Sequence, residues 1–129
     1  MNELSKNKGQ LLLVEDDPSV SRALSRLLKA SGFEVKRFAR PSELLEAGVP
    51  DANGCLIFDV HLPEMTGPEL YQVLINLGCR LPLVLISGHV DEATHEMAVK
   101  AEAAAFLIKP FNRDSLLAAI AKALDFKKA

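Results

Sequence analysis

The sequence contains few cysteines and no long apolar segment, and both absences limit the kind of protein it can encode. Cys55 and Cys79 are the only two cysteines, and their spacing is not that of a metal site. Cys55 lies in an apolar stretch and is expected to be a small core residue. No apolar run is as long as the roughly 18 residues that a helix needs to cross a bilayer. Together these features favour a reducing, cytoplasmic setting.

Excess charge of one sign is also absent. The net charge of −2 implies no bulk attraction to nucleic acid or to an anionic membrane. Residues 1–10, MNELSKNKGQ, lack the apolar core of a signal peptide and are expected to form a polar lead-in. The chain has 129 residues, of which 49% are hydrophobic. This length and composition predict one globular domain, residues 11–126, with no output domain.

Short apolar segments recur along the chain at intervals that suit strands. The third, Gly54–Asp59, is uncharged up to its final Asp59 and is typical of a strand buried on both faces. The second alternates apolar and charged residues, which is typical of an edge strand, whereas the uncharged strands should be central or nearly so. The other four predicted strands are Leu11–Val14, Phe33–Phe38, Leu83–Ile86 and Ala105–Ile108.

Helical periodicity occupies the intervals between these strands. Asp17 and Pro18 are typical of an N-cap followed by proline in the first turn, and Gly32 should end that first helix. The second helix is predicted over Ser42–Ala47, and the fourth, over Asp91–Glu102, should be lightly packed. The apolar stripes of the third and fifth helices are Leu70, Val73, Leu74 and Leu77, and Leu116, Leu117, Ile120 and Leu124.

Five strands alternating with five helices predict an α/β fold with a parallel sheet and helices on both faces. The doubly wound, flavodoxin-like strand order 2-1-3-4-5 fits best, because it places the alternating second strand at an edge of the sheet. In such a sheet the carboxyl ends of the strands converge on one crevice.

Chemically active side chains stand at four of these carboxyl ends: Glu15 and Asp16, Asp59, Ser87, and Lys109. Two like charges at 4 Å repel by about 4 kcal/mol at an effective dielectric near 20. A hard divalent cation such as Mg²⁺, bound by one or two carboxylates and water, would relieve this repulsion. With the lysine it would attract a phosphoryl group, so the set suits phosphoryl transfer to a carboxylate nucleophile, with formation of an aspartyl phosphate.

The chain resembles the receiver domain of two-component response regulators over nearly its whole length. The matching motifs are LLLVEDD (Leu11–Asp17), IFDVHLPEMTG (Ile57–Gly67), LVLISGH (Leu83–His89) and FLIKPF (Phe106–Phe111). The resemblance implies a CheY-like fold and a conformational switch controlled by phosphorylation rather than an enzyme acting on an external substrate.

By this resemblance, Asp59 is the phosphoacceptor for a histidine kinase. Mg²⁺ would be bound by Glu15, Asp16, Asp59 and the backbone carbonyl of His61. Glu15 stands where many members have Asp, and its longer side chain can act through a water. Asp17 is expected to cap a helix.

The resemblance also assigns a switch. Ser87 occupies the hydroxyl position and Phe106 the aromatic position, where many members have Tyr. Lys109-Pro110 matches the family's cis peptide. His61 and His89 stand two residues beyond Asp59 and Ser87, where the family tunes the lifetime of the phosphoryl group; the alternative for each is a solvated loop histidine. His95 is expected at the surface.

Three other functions compete with the switch. A metal-dependent phosphohydrolase would need a second acid where His61 stands, and a flavin carrier would need a hydroxyl-rich loop where EDDP follows the first strand. An interaction module that does not depend on phosphorylation would not require so complete a site. SGH and IKPF resemble receivers of the FixJ type, whose output binds DNA, although this chain itself is not expected to bind nucleic acid. By the resemblance to receiver domains, the fourth helix, fifth strand and fifth helix are expected to form the signalling and homodimer face.

Overall fold

The computed structural model describes residues 9–89 and 91–125. Within these residues, five strands and five helices alternate along the chain. The strands are β1 (Gln10–Val14), β2 (Glu34–Phe38), β3 (Gly54–Asp59), β4 (Leu83–Ser87) and β5 (Ala105–Ile108). The helices are α1 (Pro18–Ala30), α2 (Pro41–Ala47), α3 (Gly67–Asn76), α4 (Glu92–Ala101) and α5 (Arg113–Asp125).

The strands form one parallel sheet in the order β2-β1-β3-β4-β5, which confirms the predicted topology. Every residue of β3 and β4 is buried, as expected for uncharged strands covered by helices on both faces. Asp59 pairs in register with Ile86, and Ser87 pairs with Ile108. The register therefore aligns the carboxyl ends of the three strands that carry Asp59, Ser87 and Lys109.

Alternate side chains of each central strand enter separate hydrophobic clusters on the two faces of the sheet. One face packs Leu13 and Ile57 against α1 and α5. The other packs Leu12 and Phe58 against residues of α2, α3 and α4. Helices on both faces hold the sheet and its carboxyl edge in a fixed geometry.

Side chains cap the starts of α1 and α3, and the cap of α1 is the predicted one. Asp17 Oδ1 accepts the Ser19 N–H at 2.9 Å and Pro18 is the first residue of α1. In α3, Thr66 and Glu69 form a capping box, each side chain accepting the other's backbone N–H. The α1 cap places that helix start directly beyond Glu15 and Asp16 at the end of β1, whereas α3 begins only after the loop 60–66 that follows Asp59.

Several expectations about packing were wrong. Leu77 is 73% exposed and caps the end of α3, whose buried face includes Tyr71 instead. Leu124 is exposed, because α5 buries two alanines, Ala119 and Ala123, with Leu116 and Ile120. The fifth strand is only partly buried because it forms the second edge of the sheet, as the predicted order 2-1-3-4-5 implies, although its uncharged residues favoured a central place.

The remaining boundaries agree with the prediction to within two residues, and those of β3 and β5 agree at both ends. The first strand begins at Gln10, inside the expected lead-in, and the rest of that lead-in up to residue 8 lies outside the described residues. Residue 126, the predicted end of the domain, also lies outside them. Among the helices of residues 9–89 and 91–125, none has the length and apolarity to cross a membrane.

Candidate functional site at the carboxyl edge of the sheet

Asp59 lies at the end of β3, one of the two central strands in which every residue is buried. Its residue is 6% exposed, and its Oδ1 accepts the backbone N–H of His61 at 2.9 Å. The backbone N–H of Val60, the residue directly after Asp59, donates to the carbonyl of Ile86 at 2.8 Å. This bond ties the end of β3 to β4. The turn and the sheet together fix one carboxylate oxygen and leave the other facing Lys109.

Lys109 binds two carboxylates from different strands. Its Nζ lies 2.6 Å from Asp59 Oδ2 and 2.9 Å from Glu15 Oε1. The backbone helps to aim it, because the Lys109 N–H donates to the Ser87 carbonyl at 2.7 Å. The Lys109-Pro110 peptide is cis, as the resemblance implied. A single ammonium thus joins the ends of β1 and β3 from the end of β5.

Glu15 is more deeply buried than Asp59, with 2% of its surface exposed. Its Oε1 accepts from Lys109, and its Oε2 accepts the Asp17 N–H at 3.1 Å. Burial raises the pKa of this carboxyl, the hydrogen bonds from Lys109 and Asp17 oppose the rise, and the nearby Asp59 adds to it. The net effect is a raised pKa for Glu15, because the one Lys109 ammonium is shared between two carboxylates and does not offset burial.

Lys109 responds in the complementary direction. Burial of its ammonium works to lower its pKa, but the hydrogen bonds to Asp59 and Glu15 outweigh burial and raise the pKa above its usual value. The lysine therefore stays charged, and its one ammonium is shared between two carboxyl groups.

Asp16 lies beside this group but is exposed. It lines a cleft of about 280 Å³ together with Glu15, Arg22 and Arg37. Asp17 caps α1, as expected. In residues 9–89 and 91–125, no three His, Cys, Asp or Glu side chains lie close enough together to hold a metal ion by themselves. The structure joins Glu15 and Asp59 through Lys109 and does not bring the Asp16 side chain into that group.

The donors present nevertheless fit Mg²⁺. Glu15 and Asp59 offer hard oxygen ligands, outnumber the single ammonium of Lys109 that they share, and are joined by the exposed Asp16, which follows Glu15 in the sequence. One or two carboxylates, a carbonyl and water are the ligands this ion takes in proteins.

Ser87 is fully buried at the end of β4. Its Oγ accepts the His89 N–H at 3.0 Å, which leaves its own O–H able to donate. Asp59 and Ser87 thus each accept the N–H of the residue two positions on. The two turns bring the exposed imidazoles of His61 and His89 together, with ring centroids 4.3 Å apart.

Phe106 is half buried in β5 and packs against the cluster formed with α3 and α4. Its ring meets that of His95 edge to face at a centroid distance of 6.4 Å. Both line a cleft of about 340 Å³ with His89 and Ile108. His95 is exposed as expected, but its contact with Phe106 was not predicted, since an exposed helical position gives no signal of an aromatic neighbour from another element.

Comparison with known proteins decides the family. The family model for "Response regulator receiver domain" matches residues 11–121. The chain is a member of the response regulator receiver family. Receiver domains are signalling modules of two-component systems, and the predicted family and fold are confirmed.

Individual relatives agree with the family match. The chain is 39% identical over 121 residues to the response regulator protein TmoT of Ectopseudomonas mendocina, covering 94% of this chain and 55% of TmoT. The crystal structure of FixJ-N superposes with a TM-score of 0.83 and 34% identity, covering 94% of this chain and 97% of that one. The response regulator StyR gives a TM-score of 0.83 and 40% identity, over 92% and 60%. The receiver spans just over half the length of the curated relatives it matches.

Proposed function

We propose that this receiver accepts a phosphoryl group on Asp59 from the phosphohistidine of a histidine kinase. The observation that carries the proposal is the Asp59 carboxylate, fixed at one oxygen by the His61 N–H and paired at the other with Lys109 at 2.6 Å. In the transfer, an Asp59 oxygen forms a bond to phosphorus while the bond from phosphorus to the imidazole nitrogen breaks. Its electron pair leaves with the imidazole, which takes up a proton from solvent.

Lys109 and Ser87 then respond to the new charge. The lysine, already shared between two carboxylates, can direct its N–H groups to the phosphoryl oxygens. The Ser87 O–H can donate to the same group, since the bond from the His89 N–H occupies only a lone pair of the Ser87 Oγ. Movement of Ser87 towards the phosphoryl group would open space for the half-buried Phe106 to turn inward.

Mg²⁺ is the proposed cofactor. The residues that would hold it are Glu15, Asp16, Asp59 and, through its backbone carbonyl, His61. When bound, the ion offsets negative charge on the phosphoryl oxygens. Both Glu15 oxygens already accept hydrogen bonds, from Lys109 and the Asp17 N–H, so this residue is well placed to act through a water.

The output is proposed from the relatives. FixJ of Azorhizobium caulinodans, 35% identical over 112 residues, is named a transcriptional regulatory protein. We therefore propose that this receiver controls transcription in the cytoplasm through an output domain. The proposed signalling and homodimer face comprises α4, β5 and α5, where Val99 is 62% exposed and Ile108 is 36% exposed.

The first experiment is intact mass spectrometry after incubation with acetyl phosphate and Mg²⁺. One added phosphoryl group is expected on the parent, and none on Asp59→Asn or in excess EDTA. Transfer from a phosphorylated histidine kinase is the second arm. If no phosphodonor adds the group to the parent, the proposal fails and a phosphorylation-independent interaction module becomes the better account.

A further inference from the structure

We propose that Glu64 is a positioning residue that ties the loop following Asp59 to the start of α2 and thereby holds the His61 backbone for metal binding. This inference rests on the proposed function, because His61 matters through the carbonyl it would offer to Mg²⁺. Glu64 lies five residues beyond the acceptor in the sequence.

The start of α2 lacks a cap of its own. Its N-cap residue is Arg40, whose side chain makes no capping hydrogen bond. Glu64 supplies the missing acceptors from 22 residues away: Oε1 accepts the Ser42 N–H at 2.9 Å and Oε2 accepts the Ser42 hydroxyl at 2.9 Å. The Arg40 guanidinium lies 3.9 Å from Oε2. A carboxylate at a helix start accepts an otherwise unpaired N–H and interacts favourably with the positive end of the helix dipole.

The same contact anchors the middle of the acceptor loop, residues 60–66. At its base, the Gly67 N–H donates to the Val60 carbonyl at 2.8 Å. On its first arm, the His61 N–H donates to Asp59 Oδ1. Glu64 is the third anchor. Unlike the other two, it bonds to another element, α2, and not to a residue at the ends of the loop. His61 lies between the base and this outer anchor, so its backbone position depends on both.

The backbone at Glu64 supports a specific role for its side chain. Its φ is +72°, in the left-handed region that glycine adopts at least cost. A glutamate here is disfavoured by local conformation, and its side chain makes the two contacts to Ser42. Glu102, at the end of α4, also has a positive φ, +58°, but lies outside the acceptor loop. It provides a matched control.

The test compares Glu64→Gly, Glu64→Gln and Glu102→Gly with the parent. Both glycine variants relieve a positive φ, but only Glu64→Gly removes the contacts to Ser42. Glutamine keeps an acceptor for the Ser42 N–H and can donate to its hydroxyl. Mg²⁺ affinity is measured from the rise in melting temperature with Mg²⁺ concentration, in the absence of any phosphodonor. The Mg²⁺ concentration for half-maximal phosphorylation by acetyl phosphate is measured separately.

We expect Glu64→Gly to weaken Mg²⁺ binding about two- to tenfold, the lower part of the range for groups coupled in one hydrogen-bond network. Glu64→Gln should restore most of the affinity, and Glu102→Gly should match the parent. Equal Mg²⁺ affinities in Glu64→Gly and the parent would overturn the proposal. So would a Glu64→Gln variant as weak as Glu64→Gly, because charge rather than anchoring would then be the cause.

The two proposals fail separately. If the parent binds Mg²⁺ with the expected dependence on Glu64 but accepts no phosphoryl group, the phosphoacceptor function fails and the positioning role stands. If the parent is phosphorylated and the Glu64 variants bind Mg²⁺ normally, the positioning role alone fails. If the parent does not bind Mg²⁺, the positioning role is wrong.

Discussion

The imidazole rings of His61 and His89 lie edge to face, 4.3 Å apart and inclined by 61°, although they follow different strands. Each is placed by a backbone N–H that bonds to a strand-end side chain, Asp59 for one and Ser87 for the other. We propose that this pair restricts the approach of water to Asp59, because each histidine stands two residues beyond a strand-end side chain of the site.

Replacing either histidine with alanine should shorten the lifetime of the phosphoryl group. The expected change is about two- to fivefold, less than about 1 kcal/mol in the barrier to hydrolysis. The measurement is loss of phosphoryl label from purified phosphoprotein after removal of the donor, with His95→Ala as the control from the neighbouring helix. Lifetimes equal to the parent's in both variants would show that the pair does not control access.

Lys109 separates two buried carboxylates, so Lys109→Met should be destabilising. The expected loss is about 3 kcal/mol in the free energy of unfolding, the low end for removal of one partner of a buried ion pair. Urea unfolding measures it. Lys100→Met, on an exposed position of α4, is the matched control and should change little. A Lys109→Met protein as stable as the control would mean that the carboxylates do not depend on the lysine.

Gly67 is required by its approach to the acceptor strand. A Cβ built there would lie 2.5 Å from the Asp59 carbonyl oxygen, so Gly67→Ala must displace the end of β3. We expect a loss of about 1–3 kcal/mol in stability and slower phosphorylation. Gly88→Ala is the control for stability, since an added Cβ there meets nothing within 4 Å. Unchanged stability in Gly67→Ala would contradict the rigid packing described here.

The two cysteines should differ in reactivity. Burial raises the pKa of the Cys55 thiol to about 12, so this group stays protonated and inaccessible at pH 8, whereas Cys79 is only half buried. A thiol reagent should add one label to the folded protein and two in denaturant, counted by mass. Cys79→Ser should abolish labelling of the folded protein, and rapid labelling of that variant would refute the prediction.

Asp91 gives α4 a pH-dependent cap. Its side chain accepts the Thr94 N–H at 2.8 Å, and hydrogen bonding with Thr94 lowers its pKa below the ordinary 3.8. Because the folded pKa is the lower one, the stabilisation is present above pH 3.8 and is lost as the pH falls through the folded value.

The check compares melting temperatures of the parent and Asp91→Asn at several pH values. The advantage of the parent at pH 6 should shrink as the pH falls below 3.8, because asparagine keeps an acceptor and does not titrate. A difference that is constant with pH would show that the carboxylate charge does not contribute.

The fold could be predicted from the sequence because hydrophobic periodicity is a local property. Asp17, Pro18 and the uncharged run before Asp59 placed a helix start and a central strand correctly. Leu77 and Leu124 were placed wrongly because a helical stripe gives spacing but not the limits of the surface that covers it.

At the site, the sequence by itself determined which residue types stand at the strand ends, since parallel strands bring those ends to one edge. Only the tertiary structure decided their partners. It joined Lys109 to Glu15 and Asp59, left Asp16 outside that group, and set Glu64 against Ser42. These contacts depend on side-chain reach across 22 to 94 residues of sequence, and no local pattern encodes a distance in space between such positions.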